Sequence, residues 1–285
     1  MDYSGLVKRA LDITWKFKYL WIFGFFLEFG SGGGGFGNLP DKLKTPIGDF
    51  FGGISLVSII IPLILIGLVI FVLFLILYII SQGGLIHCVS RIESGENPTL
   101  RDGWNAGVKN FWRILGIGIL ILIFIFAAML LTLGPFVILL IANKTVGLLS
   151  AIIFIPLFLV LLIPIILINL YAYRTCVIER KGVFDSIAGA WEMLKGNLGK
   201  TLIVTLISIG STIVYGIGFL IVGLFLALPF IVLGAINFFL GLALGVLVGL
   251  IYIAVVSGAW GAYIDSLWTL AFLEMKKLKP AEVGM

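Results

Sequence analysis

The chain has 285 residues, of which 61% are hydrophobic and 12% are charged, and its mean hydropathy is +1.22. A soluble globular domain carries about twice that share of charged residues, so the composition excludes an ordinary soluble enzyme and indicates an integral membrane protein. The formal net charge of +5 then reflects membrane topology and attraction to anionic lipid, and not a nucleic-acid-binding surface.

The chain opens with an amphipathic segment followed by a short apolar one. Its apolar residues recur at helical spacing, which predicts a helix with one apolar edge: Tyr3, Leu6, Ala10, Ile13 and Phe17. Residues 19–29 then predict a first span that is short, because a helix needs about 20 apolar residues to cross the hydrocarbon core.

A glycine-rich run, "GSGGGGFG" at residues 30–37, invites comparison with a phosphate-binding loop. A P-loop requires Lys and then Ser or Thr directly after its glycines, but the next lysine is Lys42. A dinucleotide-binding fingerprint requires a βαβ unit, which the pattern does not predict. We expect the run to lie in an outer turn over residues 30–53, where the repeat described below is most distorted.

Long charge-free stretches predict the remaining spans. Residues 54–80 and 146–171 contain no charged side chain, and residues 112–141 contain none after Arg113. The stretch from Thr201 to Tyr263 is also free of charge and is long enough for two spans. We therefore expect an all-α integral membrane protein, with about six transmembrane helices in a single domain that covers residues 1–285.

Two segments of the chain recur later in its sequence. "GWNAGVKNFWRIL" (103–115) aligns without a gap with "AWEMLKGNLGKTL" (190–202), and "ALDITWKFKYLW" (10–21) is a fainter copy. "PFVILLIANKTVGLLSA" (135–151) likewise aligns with "PFIVLGAINFFLGLALG" (229–245).

The repetition predicts three tandem units, each with an amphipathic helix, a span outward, a tight outer turn and a span back. Their approximate bounds are 4–97, 98–183 and 184–279. Because each unit holds an even number of spans, the units are parallel, and parallel repeats are less common than inverted ones among alternating-access transporters.

The amphipathic helices carry aromatic residues on one edge and basic residues opposite, which is typical of helices in the headgroup plane. Thr99 and Asp102 predict a capping box at the start of the second helix. These helices either anchor the hairpins or form a cytoplasmic collar that binds anionic lipid or a partner. The expected interfacial anchors are Trp15, Trp104, Trp112, Trp191, Lys109 and Lys195.

The distribution of Lys and Arg predicts the orientation. Of 19 such residues, all fall in segments predicted to share one side except Lys42, Lys44 and Lys144. By the positive-inside rule, we expect both termini to lie in the cytoplasm. The expected location is a prokaryotic cell (inner) membrane, which the chain crosses several times. Asp2 and Asp12 argue against a cleavable signal peptide.

Isolated polar residues within spans are the default candidates for a functional site in a membrane protein. If the three units pack around a pseudo-threefold axis, Arg174 and Asp265 can form an ion pair. Alternatively, each polar side chain reaches the nearby interface by snorkelling. The candidates for an intramembrane polar site or pathway are Asp265, Arg174, His87, Asn169, Gln82 and Glu28.

No pattern of an active site is present. His87 has no second histidine for a metal site, no span holds paired carboxylates, and Cys88 and Cys176 have no CxxC partner. We expect no enzymatic activity, no metal and no cofactor. Gly241, Gly245 and Gly249 form a GxxxGxxxG ridge that predicts close helix packing, within the chain or between copies.

The block "VIERKGVFDSIAGAWEMLKGNLGKTL" (177–202), followed by a long apolar hairpin, resembles the membrane domain of some glycerophosphoryl diester phosphodiesterases and a broad group of prokaryotic polytopic membrane proteins. "ALDITWKFKYLWIFGFFLEFGSGGGG" (10–35) resembles the start of many bacterial and archaeal membrane proteins. The resemblance implies a six-helix membrane protein. It transfers no activity, because the catalytic phosphodiesterase domain has no counterpart in this sequence.

Two functions are compatible with these patterns. The first is a non-enzymatic multi-pass scaffold or accessory protein, whose partners are anionic lipid headgroups at the cytoplasmic face and a second copy or another membrane protein. The alternative is a small transporter or channel with a polar pathway between the repeats. Nucleic acid is not an expected partner.

Overall fold

The computed structural model describes residues 1–30 and 56–277, and in these ranges the chain forms helices and no strand. The predicted outer loop, including the glycine run after Gly30, lies outside the described residues. The helices are α1 Tyr3–Lys16, α2 Leu20–Gly30, α3 Leu56–Glu93, α4 Leu100–Ala142, α5 Lys144–Glu179, α6 Val183–Gly196, α7 Leu198–Ile236 and α8 Phe238–Lys277.

Five helices in the described ranges are long and apolar enough to span a membrane: Ile64–Glu93 of α3, and α4, α5, α7 and α8 in full. The last four contain 36 to 43 residues, or about 54–65 Å at the rise of an α-helix, and therefore exceed the ~30 Å hydrocarbon core. The predicted all-α membrane class is confirmed. The predicted first span corresponds to α2, whose 11 residues are too few to cross alone, so the number six stays a prediction.

The buried core lies at one end of the molecule, where α3, α5 and α8 end. We call this the core end. Buried residues are concentrated in 79–89 of α3, 171–177 of α5 and 258–272 of α8. The shorter helices α1 and α2 pack against α8, and α6 packs against α5.

Asp2 caps α1 by accepting a hydrogen bond from the Gly5 amide at 3.0 Å, and this bond lowers the pKa of the Asp2 carboxyl group.

Two hairpins, α4–α5 and α7–α8, extend from this core toward the opposite end, which we call the hairpin end. α7 packs almost entirely against α8, and its only buried residues are Thr201 and Val204, next to its start. The large apolar side chains farther along α7 are exposed, as Val214 is at 73%. Such a surface is stable in lipid, where apolar side chains face acyl chains.

Both hairpins turn through a single asparagine in nearly the same conformation. Asn143 has φ −152° and ψ 111°, and Asn237 has φ −143° and ψ 105°. The Asn143 side chain accepts from the Thr145 and Val146 amides, and the Asn237 side chain accepts from the Leu240 amide. The aligned segments of the second and third predicted units therefore share one local geometry, whereas the three-unit architecture stays a prediction.

Glycines bring α2 and α8 into backbone contact near the core end. A Cβ atom built on Gly258 would lie 2.5 Å from the Trp21 carbonyl oxygen, and one on Gly24 would clash with the backbone of Gly258 and Ala262. Small residues allow this close approach. In lipid, where no hydrophobic effect drives helices together, the resulting van der Waals packing is a source of helix association. α3 and α4 approach each other in the same way through Gly83, Gly84, Gly103 and Gly107.

The α2–α8 contact predicts opposite effects for two Gly→Ala substitutions. We expect Gly258→Ala to lower the free energy of unfolding by about 1–3 kcal/mol, because the added methyl overpacks a backbone contact. Gly210→Ala on α7 should be neutral or stabilising by up to about 1 kcal/mol, because its Cβ has no atom within 4 Å. Unfolding in detergent measures both, and equal losses would contradict the contact.

Candidate functional site

A buried ion pair joins α5 to α8 within the core end. Arg174 Nη2 donates to Asp265 Oδ1 at 2.5 Å and to the Asp265 carbonyl oxygen at 3.2 Å. Arg174 Nη1 donates to the Leu170 carbonyl oxygen at 2.6 Å. The two side chains are 1% and 9% exposed. They do not reach the interface by snorkelling but lie inside the protein.

Gln82 extends the pair to a third helix. Its Nε2 donates to Asp265 Oδ1 at 3.0 Å, so α3, α5 and α8, one helix from each predicted unit, meet at a single carboxylate oxygen. Removing two charges from water costs several kcal/mol per ion, and the pair is tolerated only because direct contact and further hydrogen bonds offset this cost. The site therefore fixes the register of three helices.

The other predicted polar residues do not join this contact. Asn169 lies on α5, partly buried beside Tyr173. His87 is partly buried on α3, and its charged neighbours do not include Arg174 or Asp265; they are Arg91, Glu96, Asp102 and Arg180. Glu28 lies on α2, partly buried and near Tyr215 of α7. The structure thus unites Asp265, Arg174 and Gln82, and leaves His87 and Glu28 apart.

Several ion pairs lie at the ends of the helices in the core end, and sequence reasoning missed them. Arg9 Nη1 contacts Glu93 Oε1 at 2.6 Å, and Arg9 Nη2 contacts Glu274 Oε1 at 2.7 Å. Arg9 of α1 therefore ties the end of α3 to α8. A sequence pattern could have indicated these ion pairs, because one glutamate recurs in each of three matching segments. The segments are "CVSRIESG" (88–95), "CVIERKG" (176–182) and "LAFLEMKK" (270–277).

The third of these glutamates, Glu179 at the end of α5, has two lysine partners. Lys181 lies 2.8 Å and Lys276 of α8 lies 3.0 Å from its carboxylate. The hydrogen bond with Glu179 raises the pKa of the Lys181 ammonium group. These side chains are partly exposed, so each pair contributes only modestly to stability.

The predicted interfacial anchors are all exposed: Trp15, Trp104, Trp112, Trp191, Lys109 and Lys195. Trp112 is the most exposed, at 78%, and Lys195 Nζ lies 4.6 Å from the centre of the Trp191 ring. The tryptophans of both α4 and α6 lie outside the core. The residues that are buried instead are Gly103, Gly107 and Asn110 at the start of α4, and Ser186, Ala190, Met193 and Leu194 in α6. Exposed tryptophans are typical of a membrane–water interface.

The amphipathic segments differ among the units. In α1, the predicted apolar edge packs into the core through Leu6, Ala10 and Ile13. The second segment is continuous with its span, as the first part of α4, and begins with the predicted capping box of Thr99 and Asp102. The third is a separate helix, α6.

A groove of about 490 Å³ lies between α7 and α8 toward the hairpin end. Its lining is apolar and includes the predicted ridge of Gly241, Gly245 and Gly249, together with Phe230 and Tyr252. Cβ atoms on Gly241 and Gly245 would meet α7, whereas a Cβ on Gly249 would meet open space. The ridge therefore packs within the hairpin at two positions and faces outward at the third.

The comparisons with known proteins give one family. The model of a family described as "Family of unknown function (DUF7544)" matches residues 14–273, a range that contains the ion pair, both hairpins and the groove. No curated protein and no solved structure matches the chain.

The burial of the ion pair predicts how its substitutions rank in stability. We expect Arg174→Gln to lower the free energy of unfolding by about 3–5 kcal/mol, because Asp265 would be left buried without its counter-charge. The double variant Arg174→Met/Asp265→Leu should lose less, since it removes both charges. Arg9→Gln, in a partly exposed pair, should cost about 1 kcal/mol or less. Unfolding in detergent checks the order, and a double variant as unstable as Arg174→Gln would contradict it.

Proposed function

The chain belongs to DUF7544, a family of unknown function, and we propose that it is a non-enzymatic scaffold or accessory protein of the membrane. The α7–α8 hairpin carries this proposal. From Thr201 to Tyr263 it has no charged residue, and α7 has few contacts outside the hairpin. It therefore presents apolar surface to its surroundings on a rigid base.

The glycine-lined groove supports a protein partner on this surface. Apolar area alone does not bring helices together in lipid, but small residues do, because they let backbones approach closely. Tyr252 at the groove donates its hydroxyl hydrogen to the Phe219 carbonyl oxygen at 2.8 Å, so its polar group is satisfied within the hairpin. The groove is thus suited to an apolar helix, from a second copy or from another membrane protein.

For the location, we propose a prokaryotic cell membrane with both termini in the cytoplasm. Of the 19 Lys and Arg residues, 16 fall on the predicted cytoplasmic side. The three on the opposite side are Lys42, Lys44 and Lys144. The exposed tryptophans and lysines at the core end support contact of that end with anionic headgroups. The resemblance to phosphodiesterase membrane domains also stays a proposal, which rests on the 177–202 block and the long apolar hairpin that follows it.

The alternative is a small transporter or channel. The observation that favours it is the meeting of Asp265, Arg174 and Gln82 from three helices, since charged residues within spans often mark ion pathways. The groove on α7 and α8, however, shares no lining residue with these three. A scaffold accounts for both features, with the ion pair as a structural tie and the groove as a contact surface.

A pair of matched substitutions tests the scaffold. Gly249→Leu fills the groove, and Gly210→Leu adds the same side chain elsewhere on the hairpin; neither Cβ has an atom within 4 Å. A photoreactive residue at Val246 in the groove should crosslink to a distinct membrane protein or a second copy. Gly249→Leu should reduce this crosslink about tenfold, equivalent to 1–2 kcal/mol of helix association, and Gly210→Leu should not.

A photoreactive residue at Leu224, which is exposed and lies outside the groove lining, is the positional control. Crosslinks at Val246 to lipid alone would contradict the scaffold. Solute flux through proteoliposomes that Asp265→Asn abolishes would contradict it as well, and would favour the transporter.

Labelling of introduced cysteines tests the orientation. Cys88 and Cys176 are completely buried, so they form a silent background. Lys144→Cys, at the turn between α4 and α5, should react with a membrane-impermeant maleimide in intact cells. Lys109→Cys and Lys195→Cys should react only after permeabilisation, and the reverse pattern would overturn the orientation.

A further inference from the structure

Unsatisfied polar atoms are concentrated around the Arg174–Asp265 pair. Seven buried side-chain oxygen or nitrogen atoms in the described residues have no hydrogen-bond partner, and one of them belongs to Glu274. The other six lie on residues within two helical turns of the pair or next to Gln82: Ser81 Oγ, Asn169 Oδ1, Arg174 Nε, Asp265 Oδ2, Ser266 Oγ and Thr269 Oγ1. We call these residues, with Gln82, the Arg174 cluster.

These atoms are unusual because buried polar groups in proteins nearly always have partners. Thr269 shows the local cause. The buried threonines Thr14, Thr132 and Thr175 each donate to the carbonyl oxygen four residues earlier in their own helix. For Thr269 that oxygen belongs to Asp265, which accepts from Arg174 instead. The Thr269 hydroxyl is thus displaced from its usual partner and lies one turn from the carboxylate.

The chemistry of the cluster identifies its ligand. Arg174 Nε is a donor without an acceptor, Asp265 Oδ2 is an acceptor without a donor, and the hydroxyls can act as either. A cation would face the guanidinium group, and an anion would face the carboxylate. The pair has no net charge that would attract either ion. A water molecule is neutral and can donate to one of these atoms while accepting from the other.

We propose that the Arg174 cluster is an internal hydration site, in which water molecules bridge Asp265 Oδ2, Arg174 Nε and the hydroxyls of Ser81, Ser266 and Thr269. Ser81, Arg174, Ser266 and Thr269 are each at least 98% buried. Glu274 follows Asp265 by nine positions, or about 14 Å along α8, so the site lies close to the ion pairs of the core end. The inference goes beyond the scaffold and holds under either function.

Radiolytic labelling tests the site. Hydroxyl radicals made by an X-ray pulse in ¹⁸O water oxidise buried side chains only where water is bound next to them. In the full chain in nanodiscs, Trp268 and Tyr173 should take up ¹⁸O, since Trp268 follows Asp265 by one turn and Tyr173 lies beside Asn169. Phe23, which is also buried but lies on α2, should not.

A matched pair of threonine variants assigns the label to the cluster. Thr269→Val keeps the shape but removes one hydrogen-bonding partner of the water, so labelling of Trp268 should fall about fivefold. Thr14→Val removes a buried hydroxyl whose partner is its own helix, and labelling should not change.

Two results would overturn the proposal. The first is labelling of Trp268 and Tyr173 at the level of Phe23 in the unmodified chain. The second is a thermal midpoint that rises with sodium chloride but not with choline chloride and loses this rise in Thr269→Val, because the cluster would then bind a cation. Loss of the Val246 crosslinks, by contrast, bears on the scaffold and leaves the hydration site standing.

Discussion

The salt bridge between Arg174 and Asp265 is the interaction on which the inner core depends. Neither charge is tolerable alone at this depth, because an unpaired ion in a low-dielectric interior costs several kcal/mol. α5 and α8 are therefore held in one register, and Gln82 holds α3 to the same carboxylate oxygen. The glycine contacts of α8 with α2 follow from that register, since Gly258 and Gly261 lie within two turns of Asp265 on the same helix.

The helices part beyond this core because nothing in lipid forces them together. In water, exposed side chains such as Val214 would drive further collapse, whereas acyl chains solvate them as well as another helix does. Each hairpin therefore needs its own tie, which the Asn143 and Asn237 turns supply by capping the returning helices. The result is a packed core end from which the α4–α5 and α7–α8 hairpins extend. This arrangement leaves the α7–α8 surface open to a partner.

Local chemistry made much of this fold predictable from the sequence. Charge-free stretches marked the long helices, and Thr99 with Asp102 marked the start of α4. Contacts over long sequence separations were not predictable. The ion pair of Arg174 with Asp265, 91 residues away, was one of two alternatives from the sequence, which also allowed each side chain to snorkel; packing decided between them. Arg9 meets Glu93 and Glu274 across 84 and 265 residues. Periodicity identified the apolar edge of α1, but it did not show whether lipid or protein covers that edge. Lipid acyl chains and a protein core both favour apolar side chains.

The arrangement of bonds at the ion pair bears on its role. Arg174 is held by two backbone carbonyl oxygens as well as by the carboxylate, and Asp265 Oδ1 accepts from two donors. Moving either side chain to pass a solute would break contacts among three helices at once. Oδ2 and Nε remain outside these bonds, and water there satisfies both without loosening any of them. A neutral, hydrated contact of this kind lets a buried charge pair persist in a static core, and a static core is what the proposed scaffold requires.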